Sequence, residues 1–262
     1  MKALRLVYLS GVLGFRALFS WNTPALFFTV LIVTPLLQIS FFVLLGGALG
    51  YQDPLFFILG SSLQGATAAS VSGLVGVIAE ERGFGTLAHI LVSPASRVAV
   101  FVGRLLPGVA IAIGVTAFTS LVGFLIVGVE LSVAQMGAYF VSIVAASFAG
   151  SALGLTLSSF GLIYRDIFQI SSAAQIVLLI ATGATVAVVD LPLWVQFVGQ
   201  GLPLTHAIEA ARGVIAQSLT PSEFWSLIGF EMAVGGAWLA VGLLFAKALE
   251  RLSRTRGTVE LY

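Results

Sequence analysis

The chain has 262 residues, 59% of them hydrophobic and only 9% charged, with a net charge of +1. Soluble domains carry about a quarter of charged residues, so a water-soluble fold is excluded and any chemistry must use the few polar groups left over. The absence of cysteine excludes a disulfide framework and a Cys metal site. No metal is expected, and nucleic acid is not an expected partner.

Residues 17–52, 54–79, 105–129, 131–164 and 167–189 contain no charge at all, and 224–246 is broken only by Glu231. A bilayer core of about 30 Å needs roughly 20 apolar residues at helical rise. Backbone N–H and C=O groups find no water there, so these segments must be helices. The expectation is an all-α polytopic membrane protein of one domain. It has six transmembrane helices, an N-terminal interfacial helix, a short cytoplasmic helix between the second and third spans and an outer re-entrant helical segment. Eleven of the twelve basic residues then fall on one side, while Asp53, Glu130, Asp190, Glu209 and Glu223 fall on the other. The positive-inside bias puts both termini in the cytoplasm.

Residues 1–23 carry Lys2, Arg5 and Arg16. At about 100° per residue Arg5 and Arg16 return to nearly the same helical face. That predicts an interfacial helix with a cationic edge toward anionic headgroups, so membrane lipid is a partner. No small-residue cleavage site follows, and the first span is expected to act as its own insertion signal. Within it, Gln38, Phe41 and Phe42 are candidates to line a hydrophobic path, with Gln64 in the second span and Gln175 in the fifth. Gly46-x-x-x-Gly50 and Gly150-x-x-x-Gly154 permit close helix approach.

Between the second and third spans, residues 80–96 open with Glu80, Glu81 and Arg82. Phe84, Leu87, Ala88 and Leu91 follow the i, i+3, i+4, i+7 spacing of one apolar helical face. A short amphipathic helix at the cytoplasmic surface is predicted, ended by Pro94.

Residues 190–221 are too apolar for a solvated loop and too interrupted by Pro192, Pro203, Gly199 and Gly201 to cross. Two short helices dipping into the outer leaflet are predicted, with Thr205 as N-cap of a helix over 206–217. Glu209 and Arg212, three apart, are expected to pair on one face. Glu231 lies about eight residues inside the sixth span, in reach of Arg212, and a structural pairing of these two is expected over a proton-relay role. Residues 247–262 form a basic cytoplasmic tail.

Three pieces in this order resemble the permease subunits of type-2 ABC exporters, the bacterial drug and polysaccharide efflux family. The first is Glu81-Arg82-x-x-Gly85-Thr86-Leu87 followed by Ser93-Pro94-x-x-Arg97. The second is Tyr164-Arg165-Asp166-Ile167. The third is Leu202-Pro203-Leu204-Thr205-His206-Ala207-Ile208-Glu209-Ala210-x-Arg212, in which Leu202 stands where the family usually has Asn. The resemblance implies a location in the bacterial cytoplasmic membrane, a dimer of ABC ATPase subunits and a second permease chain, identical or paralogous. It assigns ATPase contact and coupling to Glu80, Glu81, Arg82, Gly83, Thr86, Leu87 and Arg97. Pro203, Thr205, His206, Glu209, Arg212 and Glu231 become structural residues of the outer segment.

The division of labour has independent support. A Walker A loop needs a Lys after its glycines, and the only lysines, Lys2 and Lys247, follow no such loop. The chain itself binds no cofactor on this reading; ATP and Mg belong to the partner ATPase, and the chain is a transporter subunit rather than an enzyme. The expected cargo is a lipophilic or amphipathic small molecule leaving the cytoplasm or inner leaflet. Export of a polysaccharide or lipid-linked glycan is the alternative. An intramembrane serine protease is a remote one, because neither His89 nor His206 has a nucleophile motif nearby. No span carries a ring of pore-type polar residues, which argues against a channel.

Overall fold

The computed structural model describes residues 5, 8–12, 29–48, 53–83, 97–160 and 166–256. Each of the six apolar stretches contributes a helix over most of its described part, and no strand occurs among the described residues. A π-helical turn, Thr29–Val33, leads into α1 (Thr34–Ala48). The remaining helices are α2 (Pro54–Gly83), α3 (Arg97–Val127), α4 (Val133–Phe160), α5 (Ile167–Ala181), α6 (Leu193–Gln200), α7 (Thr205–Ile215) and α8 (Pro221–Arg256).

Local chemistry fixes several helix starts. The Asp53 side chain accepts the Leu55 N–H at 2.9 Å, with Pro54 at the first helical position of α2. Ser132 and Gln135 form a capping box at the head of α4: Gln135 Oε1 accepts the Ser132 N–H at 3.0 Å and Ser132 Oγ accepts the Gln135 N–H at 3.3 Å. Thr220 and Glu223 repeat the device at the head of α8, where Glu223 accepts the Thr220 N–H at 2.8 Å.

Four helices are long and apolar enough to cross a membrane: Pro54–Gly76, Leu105–Val127, Val133–Phe160 and Pro221–Lys247. Two further apolar helices are shorter, Leu36–Ala48 and Ile167–Ala181. Within the fifth expected span, 167–189, the helix itself ends at Ala181, about 22 Å from its start at helical rise. Three residues explain the stop. Thr182 Oγ1 donates to the Leu178 carbonyl at 2.6 Å and Thr185 Oγ1 to the Leu179 carbonyl at 3.2 Å. Gly183 then takes φ +82°, a left-handed conformation that ends helices.

The bundle is organised around α2 and α4, whose spanning windows are mostly buried by protein, whereas α3 and α8 leave most of theirs uncovered. Burial of apolar surface gives little drive between helices in lipid, so close backbone approach matters. Gly150 and Gly154 supply it, since a Cβ at Gly150 would press on Thr67 and one at Gly154 on the Val71 Cα. The second of the expected small-residue motifs thus forms the α2–α4 seam. At one end, Leu204, Ala207, Ile208 and Ala211 of the α6–α7 hairpin join Leu59, Leu63, Tyr139 and Ile143 in a common core. Among residues 8–12, all helical, Gly11 lies against Gly103 and Leu106 of α3.

Candidate functional site

The strongest concentration of polar contacts surrounds the corner between α6 and α7. The chain turns there at Leu204, which has φ +89° and ψ −30°, a left-handed conformation unusual for a residue with a branched side chain. A helix start needs acceptors for its first N–H groups, and the Leu204 side chain has none to offer. Glu231 of α8 provides them. Its Oε1 accepts the Leu204 N–H at 2.7 Å, and its Oε2 accepts the Ala207 N–H at 3.2 Å. Glu231 is fully buried. The positive end of the α7 dipole adds to what these bonds do for its charge.

The other side of the corner presents carbonyls. Thr205 Oγ1 donates to the Gly199 carbonyl at 2.6 Å, His206 Nε2 to the Gln200 carbonyl at 3.3 Å, and Trp238 Nε1 to the Gly201 carbonyl at 2.9 Å. Three successive carbonyls at the end of α6 are thus satisfied by side chains. Non-helical backbone inside a membrane bundle requires this arrangement. Thr205 is therefore not the N-cap of α7, as its position in the sequence suggests; its hydroxyl faces α6.

Arg212 makes the second cluster. Its Nη1 donates to the Gly183 carbonyl at 2.7 Å, and Nη2 to the carbonyls of Phe56 at 2.9 Å and Ala184 at 3.1 Å. The guanidinium lies 3.5 Å from the centroid of the Phe56 ring. Burial lowers its pKa from the ordinary value to about 9, opposed by the charge of Asp53, so it stays a cation at neutral pH. Gly60 is required beside it, because a Cβ there would run into the Ala184 carbonyl. The expected Glu209–Arg212 and Arg212–Glu231 pairings are corrected accordingly. Glu209 is exposed on α7, Arg212 binds backbone at the end of α5 and the head of α2, and Glu231 binds the head of α7. Arg212 and Glu231, on different helices, each bind backbone groups of the right sign rather than each other. Pro203 is buried at the corner itself.

At its far end α7 is held by α4. Gln135 Nε2 reaches the carbonyls of Val214 and Ile215, both at 3.4 Å. Gln135, Trp238, Asp53 and Phe56 were not among the expected site residues. The spacing Ser132-x-x-Gln135 carries a capping-box signature readable in sequence; Trp238 and Phe56 have no such local signal.

The path candidates separate into two groups. Gln38 Nε2 donates to Gln64 Oε1 at 2.7 Å, linking α1 to α2. Gln175 Nε2 donates instead to Ser72 Oγ at 3.0 Å and Ser171 Oγ at 3.3 Å, linking α5 to α2. Phe41 is exposed and meets Phe42 edge-on at 5.3 Å between ring centroids. Of the coupling candidates, Glu80, Glu81, Arg82 and Gly83 form the last turn of α2 and Arg97 opens α3. Thr86, Leu87 and the rest of the expected amphipathic helix lie outside the described residues. The His206 ring bonds to a backbone carbonyl and stands 5.7 Å from the Phe230 ring. No serine among the described residues hydrogen-bonds to this ring, so the protease alternative gains nothing from it.

Among curated proteins no match to the chain was found. The family comparison does give one, and it covers both short apolar helices, the α2–α4 seam and the whole α6–α7 hairpin: residues 13–216 match the ABC-2 type transporter family, and the chain belongs to it.

Proposed function

We propose that the chain is the permease subunit of an ATP-driven exporter that moves a lipophilic or amphipathic small molecule out of the cytoplasm or inner leaflet. ABC-2 membrane subunits work with an ABC ATPase; here that partner is a dimer of separate subunits, and a second permease chain, identical or paralogous, completes the pathway. Both termini face the cytoplasm of a bacterial cell, as the basic residues favour. The hairpin α6–α7 then lies on the outer side.

The observation that carries the substrate class is the disposition of the amides. Gln38 and Gln64 are bonded to each other at a half-buried contact, and Gln175 to Ser72 at an exposed one, so each amide is engaged within the chain. The faces that α1 and α5 leave uncovered are mainly apolar: Leu37, Phe41 and Leu44 on one, Phe168, Ile176 and Ile180 on the other, with Ser40 and Ser172 bonded back to their own helices. A route bounded by such faces favours a lipophilic solute over a glycan, which needs polar groups for its hydroxyls. At the cytoplasmic end, Glu80, Glu81, Arg82 and Arg97 contact the ATPase, and α2 and α3, 30 and 31 residues long, carry its movement into the membrane as rigid levers.

The test is recovery of the tagged chain from its native membrane in mild detergent, with mass spectrometry and an ATPase assay on the eluate. Co-recovery of a nucleotide-binding subunit with vanadate-sensitive hydrolysis is expected. A chain that emerges alone and inert, from membranes whose other complexes stay intact, overturns the reading.

A further inference from the structure

The cap that starts α7 is supplied by another helix, and this has a mechanical consequence. A Ser, Asp or Asn at position 204 would satisfy the first N–H groups locally, whatever the rest of the bundle did. Position 204 is instead a buried leucine held at φ +89°, and the acceptors sit on α8. The same helix supplies the donor for the last carbonyl of the corner through Trp238, seven residues from Glu231 and so about two turns away. Both bonds depend on the register between α8 and the hairpin. A shift of either by more than hydrogen-bond reach leaves the N–H groups of Leu204 and Ala207 without their acceptors. The same shift removes the contact that holds Leu204 in its left-handed conformation.

We propose that this corner is a latch between α8 and the hairpin, with Glu231 as its positioning residue: the head of α7 is ordered in one state of the transport cycle and released in the other. This rests on the permease reading above. Glu231 touches no substrate in this scheme; it acts through the backbone it holds. Charge, not only size, matters. A glutamine of the same shape offers one acceptor and turns an NH2 group toward N–H groups that need acceptors, whereas aspartate keeps both acceptors on a shorter stem. Trp238→Phe removes the donor to Gly201 and leaves the ring.

The experiment uses the permease–ATPase complex in proteoliposomes and compares amide hydrogen exchange over residues 200–210 without nucleotide and after vanadate trapping. In the wild type the exchange rate of this segment should differ between the two states by about tenfold or more. Glu231→Gln should exchange fast in both states while keeping basal ATP hydrolysis within about twofold, and Glu231→Asp should restore part of the difference. Equal protection of the segment in both wild-type states, with vanadate-sensitive hydrolysis present, overturns the latch. So does a Glu231→Gln complex that exchanges as slowly as the wild type. If Glu231→Gln does not assemble, the wild-type comparison still decides, and Trp238→Phe takes its place with the same expected direction. Absence of vanadate-sensitive hydrolysis in the wild-type complex overturns the permease reading itself.

Discussion

Glu231 and Trp238, two turns apart on α8, hold opposite sides of one chain corner: the carboxylate accepts the N–H groups that begin α7, and the indole donates to the Gly201 carbonyl left at the end of α6. Neither contact is local in sequence, since Glu231 is 27 residues from Leu204 and Trp238 is 37 from Gly201. Inside a membrane bundle an unsatisfied peptide group costs several kcal/mol, so a turn at this depth along α8 exists only where a neighbouring helix completes it. Arg212 does the same for the break after α5.

Arg212→Ala should leave the Gly183, Ala184 and Phe56 carbonyls without their guanidinium donor. A loss of about 3 kcal/mol is expected, seen as a lower melting temperature in detergent. Arg212→Lys should recover only part of it, because an ammonium lacks the planar fork and the ring contact. Equal stability of both variants and the wild type contradicts the staple.

Gly150→Ala and Gly154→Ala should each destabilise the bundle by about 1–3 kcal/mol, because the added Cβ meets Thr67 or the Val71 backbone. Gly47→Ala and Gly114→Ala, where nothing lies within 4 Å of the added atom, are the matched controls. Thermal unfolding of the four variants side by side gives the comparison, and no difference between the pairs would remove the α2–α4 seam from consideration.

The Gln38–Gln64 bond is open to a double-mutant cycle. Either single change to leucine should cost more than its share of the double change, with a coupling of about 0.6–1.7 kcal/mol, the range for side-chain hydrogen bonds between membrane helices. Additive effects in the same unfolding assay mean that the pair contributes nothing to helix association.

Glu81→Ala with Arg82→Ala should weaken binding of the ATPase subunit by about tenfold, roughly 1.4 kcal/mol, and leave the melting temperature of the isolated permease unchanged. Titration of the purified ATPase against wild-type and variant permease measures it. Unchanged affinity and unchanged coupled hydrolysis would move the docking surface elsewhere.

Helix content, the apolar stretches and the existence of two short helices between residues 190 and 221 were legible because each depends on local composition: runs without charge, and prolines at 192 and 203. The end of α5 was not. The run from 167 to 189 is apolar throughout, and only Thr182, Thr185 and Gly183 acting together stop the helix at Ala181. Local sequence places the cap of α7 at Thr205, yet the Thr205 hydroxyl turns back to Gly199 because the Glu231 carboxylate of α8 already occupies the helix start.

The sequence by itself determined that this chain lives in a membrane as helices, because a backbone without water has no other way to satisfy its own groups. It also marked Arg212 and Glu231 as important, since charge is too costly in such surroundings to be there without a role. Only the tertiary structure decided what each one binds. The obvious partners, opposite charges within reach of each other, are not the ones used. Both residues turn to backbone groups exposed by chain breaks, Arg212 at the end of α5 and Glu231 at the corner between α6 and α7, where the helix ends present partial charges of the needed sign.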